Sequence, residues 1–230
     1  MVIKSVYLDE RKFADRQIIR SGTGVPMDKN FKENIKTYYN QDAARRNRQR
    51  MRAPWKRKVR KNFYKIIKQE NKKTLLELGA GAGFDSLFFM RKGLNVTAVD
   101  ISDENIRSCR EKGIEAYALD FYKLSTLHNK FDCIYALNTL LHVPKDDLHK
   151  VLQEIDAVLN RNGLFYLGLY GGNDEETDLV KSDVSDAPRL FTFYSAYYLK
   201  TVLTDYFHIV DFKTFPVGTH IFHSIILRKM

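Results

Sequence analysis

Apolar residues along this chain recur with two periods, and the two periods take turns. Short apolar runs at residues 74–78, 95–99, 114–119, 131–137 and 164–169 have the length of strands. Between them the spacing widens to that of helices. Leu148, Val151, Leu152, Ile155, Val158 and Leu159 fall on one face of a helix that starts at Pro144 and is stopped by Asn162-Gly163. Ser102 is placed to cap another, with Asp103 and Glu104 favouring its N-terminal dipole and Gly113 ending it. Ser195 caps a helix running through Leu203, and residues 207–212 and 220–227 close the sheet as a strand pair. Strand and helix in alternation predict a parallel sheet covered by helices on both faces.

Upstream of residue 74 the pattern is helical. Ile35, Tyr38, Tyr39 and Ala43 recur at helical spacing from Phe31 to about Met51. Ala53-Pro54-Trp55 restarts the chain, since Pro is tolerated in a first helical turn. Val59, Phe63, Ile66 and Ile67 then form an apolar stripe with Lys and Arg on the solvated side. Residues 1–30 are an N-terminal arm of low predicted order, residues 31–70 a helical, basic segment, and residues 71–230 one domain. Residues 170–190 form a long acidic, glycine-bearing insert that offers little core and reads as a functional loop.

Candidate chemistry starts at Thr74-Leu75-Leu76-Glu77-Leu78-Gly79-Ala80-Gly81-Ala82-Gly83. An apolar run ends in an acid, breaks into three glycines at alternate positions, and opens a helix at Phe84 that closes at Gly93. Glycines there allow positive φ and a close approach of backbone to a ligand. The helix start adds free N–H groups suited to a carboxylate or phosphate. The next strand ends on Asp100, an acid suited to the two hydroxyls of a ribose. Dinucleotide sites want G-x-G-x-x-G, whereas the third glycine here comes one residue early, which disfavours a nicotinamide oxidoreductase.

The line E-L-G-A-G-A-G resembles motif I of the class I S-adenosylmethionine-dependent methyltransferases of small-molecule type. The resemblance continues through Asp100, Asp120-Phe121, Asn138-Thr139-Leu140-Leu141-His142 and Gly163-Leu164-Phe165, over about residues 35–230. It implies a Rossmann-like, seven-stranded, mostly parallel sheet with the last strand antiparallel and an N-terminal helical lid. It implies S-adenosylmethionine as cofactor, contacted by Tyr39, Glu77, Gly79, Ala80, Gly81, Gly83, Asp100, Ile101, Asp120, Phe121 and Asn138. Asp120 would accept from the adenine amino group, with Phe121 packed on the ring; capping of the following turn is the alternative role for Asp120. Tyr38, Leu141, His142, Tyr170 and Arg189 would face the methyl acceptor. The Tyr38-Tyr39 pair resembles the lid aromatics of small-molecule members; a helix that merely covers the sheet is the alternative. His142 is the candidate base, with a hydrogen-bonded scaffold role open beside it.

Composition narrows the partners. Apolar content of 44% and 29% charged residues are ordinary for a soluble globular protein, and no apolar run is long enough to span a bilayer. Asp9 and Glu10 stand where a secretory signal needs an apolar core, so a cytoplasmic protein, monomer or homodimer, is expected. Cys109 and Cys133 read as core thiols, and no motif has metal-ligand spacing. The net charge of +10 is concentrated: residues 44–73 carry fourteen Lys or Arg against Glu70, and the rest of the chain is slightly acidic. That segment keeps an RNA or peptide acceptor open as an alternative, as it does a catalytically silent binding module. The expected acceptor is nonetheless a small molecule, methylated on N or O. No stacking aromatics interleave the arginines between Ala44 and Pro54, as single-strand binders require, and no N-P-P-Y or D-P-P-Y motif follows residue 137.

Overall fold

The computed structural model describes residues 30–48, 53–179 and 184–230. The expected N-terminal arm and Arg50 and Arg52 of the arginine run lie outside the described residues. The chain starts with helices α1 (Phe31–Arg48) and α2 (Pro54–Gln69), the second with Ala53 as N-cap and Pro54 in its first turn. Then come β1 (Thr74–Leu78), α3 (Phe84–Met90), β2 (Asn95–Asp100), α4 (Asp103–Arg110), β3 (Glu115–Ala118) and β4 (Phe131–Leu137). After α5 (Leu148–Val158) follow β5 (Leu159–Gly171), β6 (Glu175–Leu179), β7 (Arg189–Phe193), α6 (Ala196–Leu203), β8 (Phe207–Val217) and β9 (His220–Lys229).

Seven strands form one sheet in the order β3-β2-β1-β4-β5-β9-β8. β1 pairs parallel with β2 and β4, β2 with β3 and β4 with β5, whereas β9 is antiparallel to both β5 and β8. The expected seven-stranded, mostly parallel sheet with an antiparallel last strand is what forms. Its pleat divides the core. Leu76, Leu78, Ile134, Ala136, Phe165 and Leu167 point to the face covered by α5 and α6. Their neighbours Leu75, Cys133, Tyr135, Leu164 and Tyr166 point to the other face, where Val59, Phe63 and Ile67 of α2 meet Phe89 of α3. The α2 stripe is therefore core, with Ile66 packed at its margin. Each such side chain contributes roughly 1.5–3 kcal/mol on full burial.

Two expectations are corrected. The amphipathic helix ends at Val158, and Leu159 already pairs in the sheet opposite Phe131. Asn162, with φ 58°, lies inside β5 rather than at a helix end. The acidic insert is not a plain loop: β6 and β7 pair antiparallel as a two-stranded sheet, Glu175 opposite Phe193 through Leu179 opposite Arg189. Just beyond it the chain returns to the core. Tyr194 is fully buried, and its hydroxyl donates to the Val143 carbonyl at 2.6 Å while Thr192 Oγ1 donates to the same oxygen at 2.7 Å. These two bonds fasten the hairpin to the turn after β4.

Candidate active site

The C-terminal edge of the sheet carries the glycine turn, the tips of β2 and β3 and the turn after β4, and α1 lies across them. Gly79, Gly81 and Gly83 all have positive φ, at 63°, 55° and 75°. At Gly79 the reason is packing as well as torsion, because a Cβ would come within 2.4 Å of Thr139 Oγ1. A Cβ on Gly81 would meet nothing within 4 Å, so the turn is open there. Ala80 N–H donates to the Val99 carbonyl, and buried Glu77 accepts from Ser86 Oγ at the start of α3.

Asp100 is buried at the tip of β2. Its Oδ2 accepts from Gly81 N–H at 2.8 Å and its Oδ1 from Ser102 N–H at 2.9 Å. Burial pushes its carboxyl upward, while those donors, Asn105 and the charge of Arg46 pull the other way. Gly81, Ser102 and Asn105 take three of its roughly four lone-pair sites, so acceptor capacity remains on Oδ2 for one ribose hydroxyl. The open turn at Gly81 beside this acid fits an S-adenosyl ligand, with Ile101 half-buried next to it. Asp120 does cap its turn, accepting from Tyr122 N–H at 3.0 Å, and its other oxygen pairs with Lys32 of α1 at 2.7 Å. Phe121 stacks on Tyr122, centroids 5.6 Å apart. Asn138 has φ 56°, and its buried Oδ1 has no hydrogen-bond partner among the described residues.

His142 is buried, and its hydrogen bonds fix its tautomer. Nδ1 lies 2.7 Å from the Leu190 carbonyl oxygen, which can only accept, so Nδ1 carries the proton. Nε2 is then the acceptor, 2.6 Å from the Tyr39 hydroxyl of α1. Burial pushes the ring down to about 3; the Leu190 carbonyl opposes this, and the charges of Arg189 and Arg46 add to it. A neutral imidazole with its basic nitrogen turned toward α1 is the result.

Arg46 stands 4.8 Å from the Tyr39 ring centroid and Arg189 stands 3.7 Å from that of Tyr38. Tyr38, His142 and Arg189, three of the five positions expected to face an acceptor, thus lie together, with Tyr39, expected at the cofactor, among them. The other two anticipated positions do not. Leu141 is committed to the hydrophobic core, and Tyr170 packs against Trp55 and His220 at the far end of an aromatic row. That row runs from His142 through Phe191 and Phe193 to His220. Local pattern gave no signal for Phe193, Lys32 or Asn40. Asn40 Oδ1 accepts from Ser102 Oγ at 2.8 Å and so docks α1 on the start of α4.

A cavity of about 540 Å³ is lined by Asn47, Arg48, Phe84, Glu111 and Lys112, away from His142. Among the described residues no cluster could hold a metal ion, and no helix is long and apolar enough to cross a membrane. Cys109 and Cys133 are free and buried, and burial pushes the Cys109 thiol up to about 12, as suits core thiols.

A Rossmann-like sheet of this strand order, with the glycine turn and acid at its edge, is the architecture of an S-adenosylmethionine-dependent transferase. Residues 76–167 match the family model described as methyltransferase domain. A 1,6-didemethyltoxoflavin-N1-methyltransferase of Burkholderia thailandensis, solved with 1,6-didemethyltoxoflavin and S-adenosylhomocysteine, superposes with a TM-score of 0.73. It is 20% identical, over 94% of this chain and 96% of that one. A glycine/sarcosine N-methyltransferase of Parasynechococcus marenigrum is 29% identical over 46% of this chain and 40% of its own length. A malonyl-[acyl-carrier protein] O-methyltransferase of Hamiltonella defensa is 28% identical over 59% and 53%. The matches thus span about half the length of these relatives. The core of the chain, residues 76–167, thus matches a methyltransferase domain, and the fold is the one found in S-adenosylmethionine-dependent methyltransferases.

Proposed function

We propose that this chain methylates a nitrogen or oxygen of a small-molecule acceptor or biosynthetic intermediate, with residues 31–70 acting as a lid over the domain formed by 71–230. Bound S-adenosylmethionine supplies an electrophilic methyl group on a sulfonium whose departure needs no acid. Asp100 and the turn Gly79–Gly83 would hold the cofactor, Asp120 and Phe121 its adenine. The chain then has to orient the acceptor, exclude water and take up one proton. Orientation alone can lower such a barrier by about 7–11 kcal/mol. His142 is the candidate for the proton: its Nε2 is unprotonated and faces the lid, so an acceptor replacing the Tyr39 hydroxyl would meet a base. The return of a proton through Nδ1 is blocked by the Leu190 carbonyl, which keeps the tautomer fixed. Tyr38 and Tyr39 close the site and exclude water.

The observation that carries this reading is the Tyr39 hydroxyl at 2.6 Å from His142 Nε2, beside a glycine turn and a buried acid. Its test is formation of S-adenosylhomocysteine from S-adenosylmethionine over a panel of small amines, phenols and carboxylic acids. Turnover with at least one, abolished by Asp100→Ala, supports it. Binding of S-adenosylmethionine without turnover on any acceptor would favour a silent binding module.

A further inference from the structure

Arg189 is 4% exposed, and among the described residues its buried Nε has no hydrogen-bond partner and no carboxylate pairs with its guanidinium. This sets it apart from the other arginines near it. Arg45 and Arg46 share the buried carboxylate of Asp42, and Arg60 is paired with Asp85 at 2.5 Å. Arg189 instead meets ring faces, Tyr38 at 3.7 Å and Phe191 at 5.1 Å. A ring face attracts the charge but satisfies none of the five N–H donors in the guanidinium fork. Burying a charge is costly unless it is paired, and aromatic contact offsets only part of that cost. The position is also specific. Arg189 precedes Leu190, whose carbonyl holds His142, and Phe191 lies 4.8 Å from the His142 ring.

Resting on the methyltransferase reading and deepening it, we propose that Arg189 is the anchor for a carboxylate on the acceptor, held bidentate by the guanidinium fork beside His142. A planar carboxylate matches that fork and gives two charge-assisted bonds. The acceptor reaches it when α1 lifts Tyr38 away. Anchoring has a second effect. Arg189 is one of the charges that hold the His142 ring below its ordinary value, so an anion bound there relieves part of that effect and makes His142 a better base. Burial, the largest cause, is unaffected by the anion's charge, and Arg46 still acts from the lid.

The test is calorimetric titration of the full chain with benzoate, benzamide, malonate and malonamide, each with and without saturating S-adenosylhomocysteine. Expected is binding of at least one carboxylate, at least tenfold weaker binding of its amide, and at least a tenfold loss for the carboxylate in Arg189→Met. Arg189→Lys should fall between, keeping the charge but losing the fork. Because the charge is unpaired, Arg189→Met should also melt higher, by about 2–4 °C. A structural arginine would give the opposite shift. Carboxylate and amide binding alike, no carboxylate binding, an Arg189→Met affinity within threefold of the parent, or a lower melting temperature each overturns the proposal. Failure of S-adenosylhomocysteine itself to bind would instead strike at the methyltransferase reading, since that ligand does not depend on Arg189.

Discussion

Lys32 Nζ and Asp120 Oδ2 lie 2.7 Å apart, so the first turn of the lid is tied by charge to the tip of β3. Lys32 also stands 3.2 Å from the centroid of the Tyr122 ring. If Asp120 receives the adenine amino group, this ion pair competes with the cofactor. Pairs as exposed as this one are worth up to about 1 kcal/mol, or about fivefold in affinity. Lys32→Met should therefore tighten S-adenosylmethionine binding by about twofold to fivefold. Weaker binding in a calorimetric titration would show that the lid contact supports the cofactor.

Asp100→Ala should weaken S-adenosylmethionine at least tenfold, since each charge-assisted bond to a ribose hydroxyl is worth about 1.5–3 kcal/mol. It should also lower stability, because Gly81 and Ser102 lose the carboxylate that their N–H groups donate to. Asp100→Asn keeps one acceptor oxygen and should preserve more of the fold while still losing affinity. Unchanged affinity in both variants would remove Asp100 from the cofactor site.

His142→Gln should cut turnover by about 100-fold if the ring is a base. The acid limb of the kcat/KM profile, which reports the free enzyme, should lie below neutrality because the ring is held near about 3. A loss under about threefold would reduce His142 to a scaffold.

The same shift bears on stability. The unfolded ring titrates near 6.5 and the folded one at about 3, so the unfolded state binds more protons between those values. The contribution is complete above pH 6.5 and is lost as pH falls toward about 3. Melting temperature should thus drop on acidification, and His142→Gln should drop less. Equal pH slopes would mean that the ring titrates normally in the folded chain.

The basic segment should not grip RNA. Arg46 and Arg60 are engaged with Asp42 and Asp85, and one side of α2 is core. Fluorescence titration with mixed-sequence RNA at about 50 and 200 mM salt should give no submicromolar affinity. Tight binding that weakens steeply with salt and competes with activity would favour the RNA alternative.

The sheet was legible in the sequence because its information is local. The runs at β1 and β4 are mostly apolar, and Ser102 and Ser195 cap the helices assigned to them. The hairpin was not, because Glu175-Glu176-Thr177-Asp178-Leu179 is mostly polar and its pairing depends on residues ten to eighteen positions away. Asn162-Gly163 misled for a related reason: a left-handed turn residue serves inside an irregular strand as well as at a helix end. At the candidate site, the glycines and Asp100 announce themselves by spacing. The Tyr39–His142 bond joins residues 103 positions apart, and no local pattern encodes it.

Val143 has a consequence for how this scaffold could be changed. Its single carbonyl oxygen takes the hydroxyls of both Thr192 and Tyr194, so the C-terminal side of the hairpin is moored at one short turn, next to the His142–Leu190 bond. The wall that carries Arg189, Leu190 and Phe191 is therefore a cassette. A graft cut at Tyr170 and Ser195 that keeps Thr192 and Tyr194 should exchange one acceptor preference for another while the glycine turn and Asp100 go on serving the same cofactor.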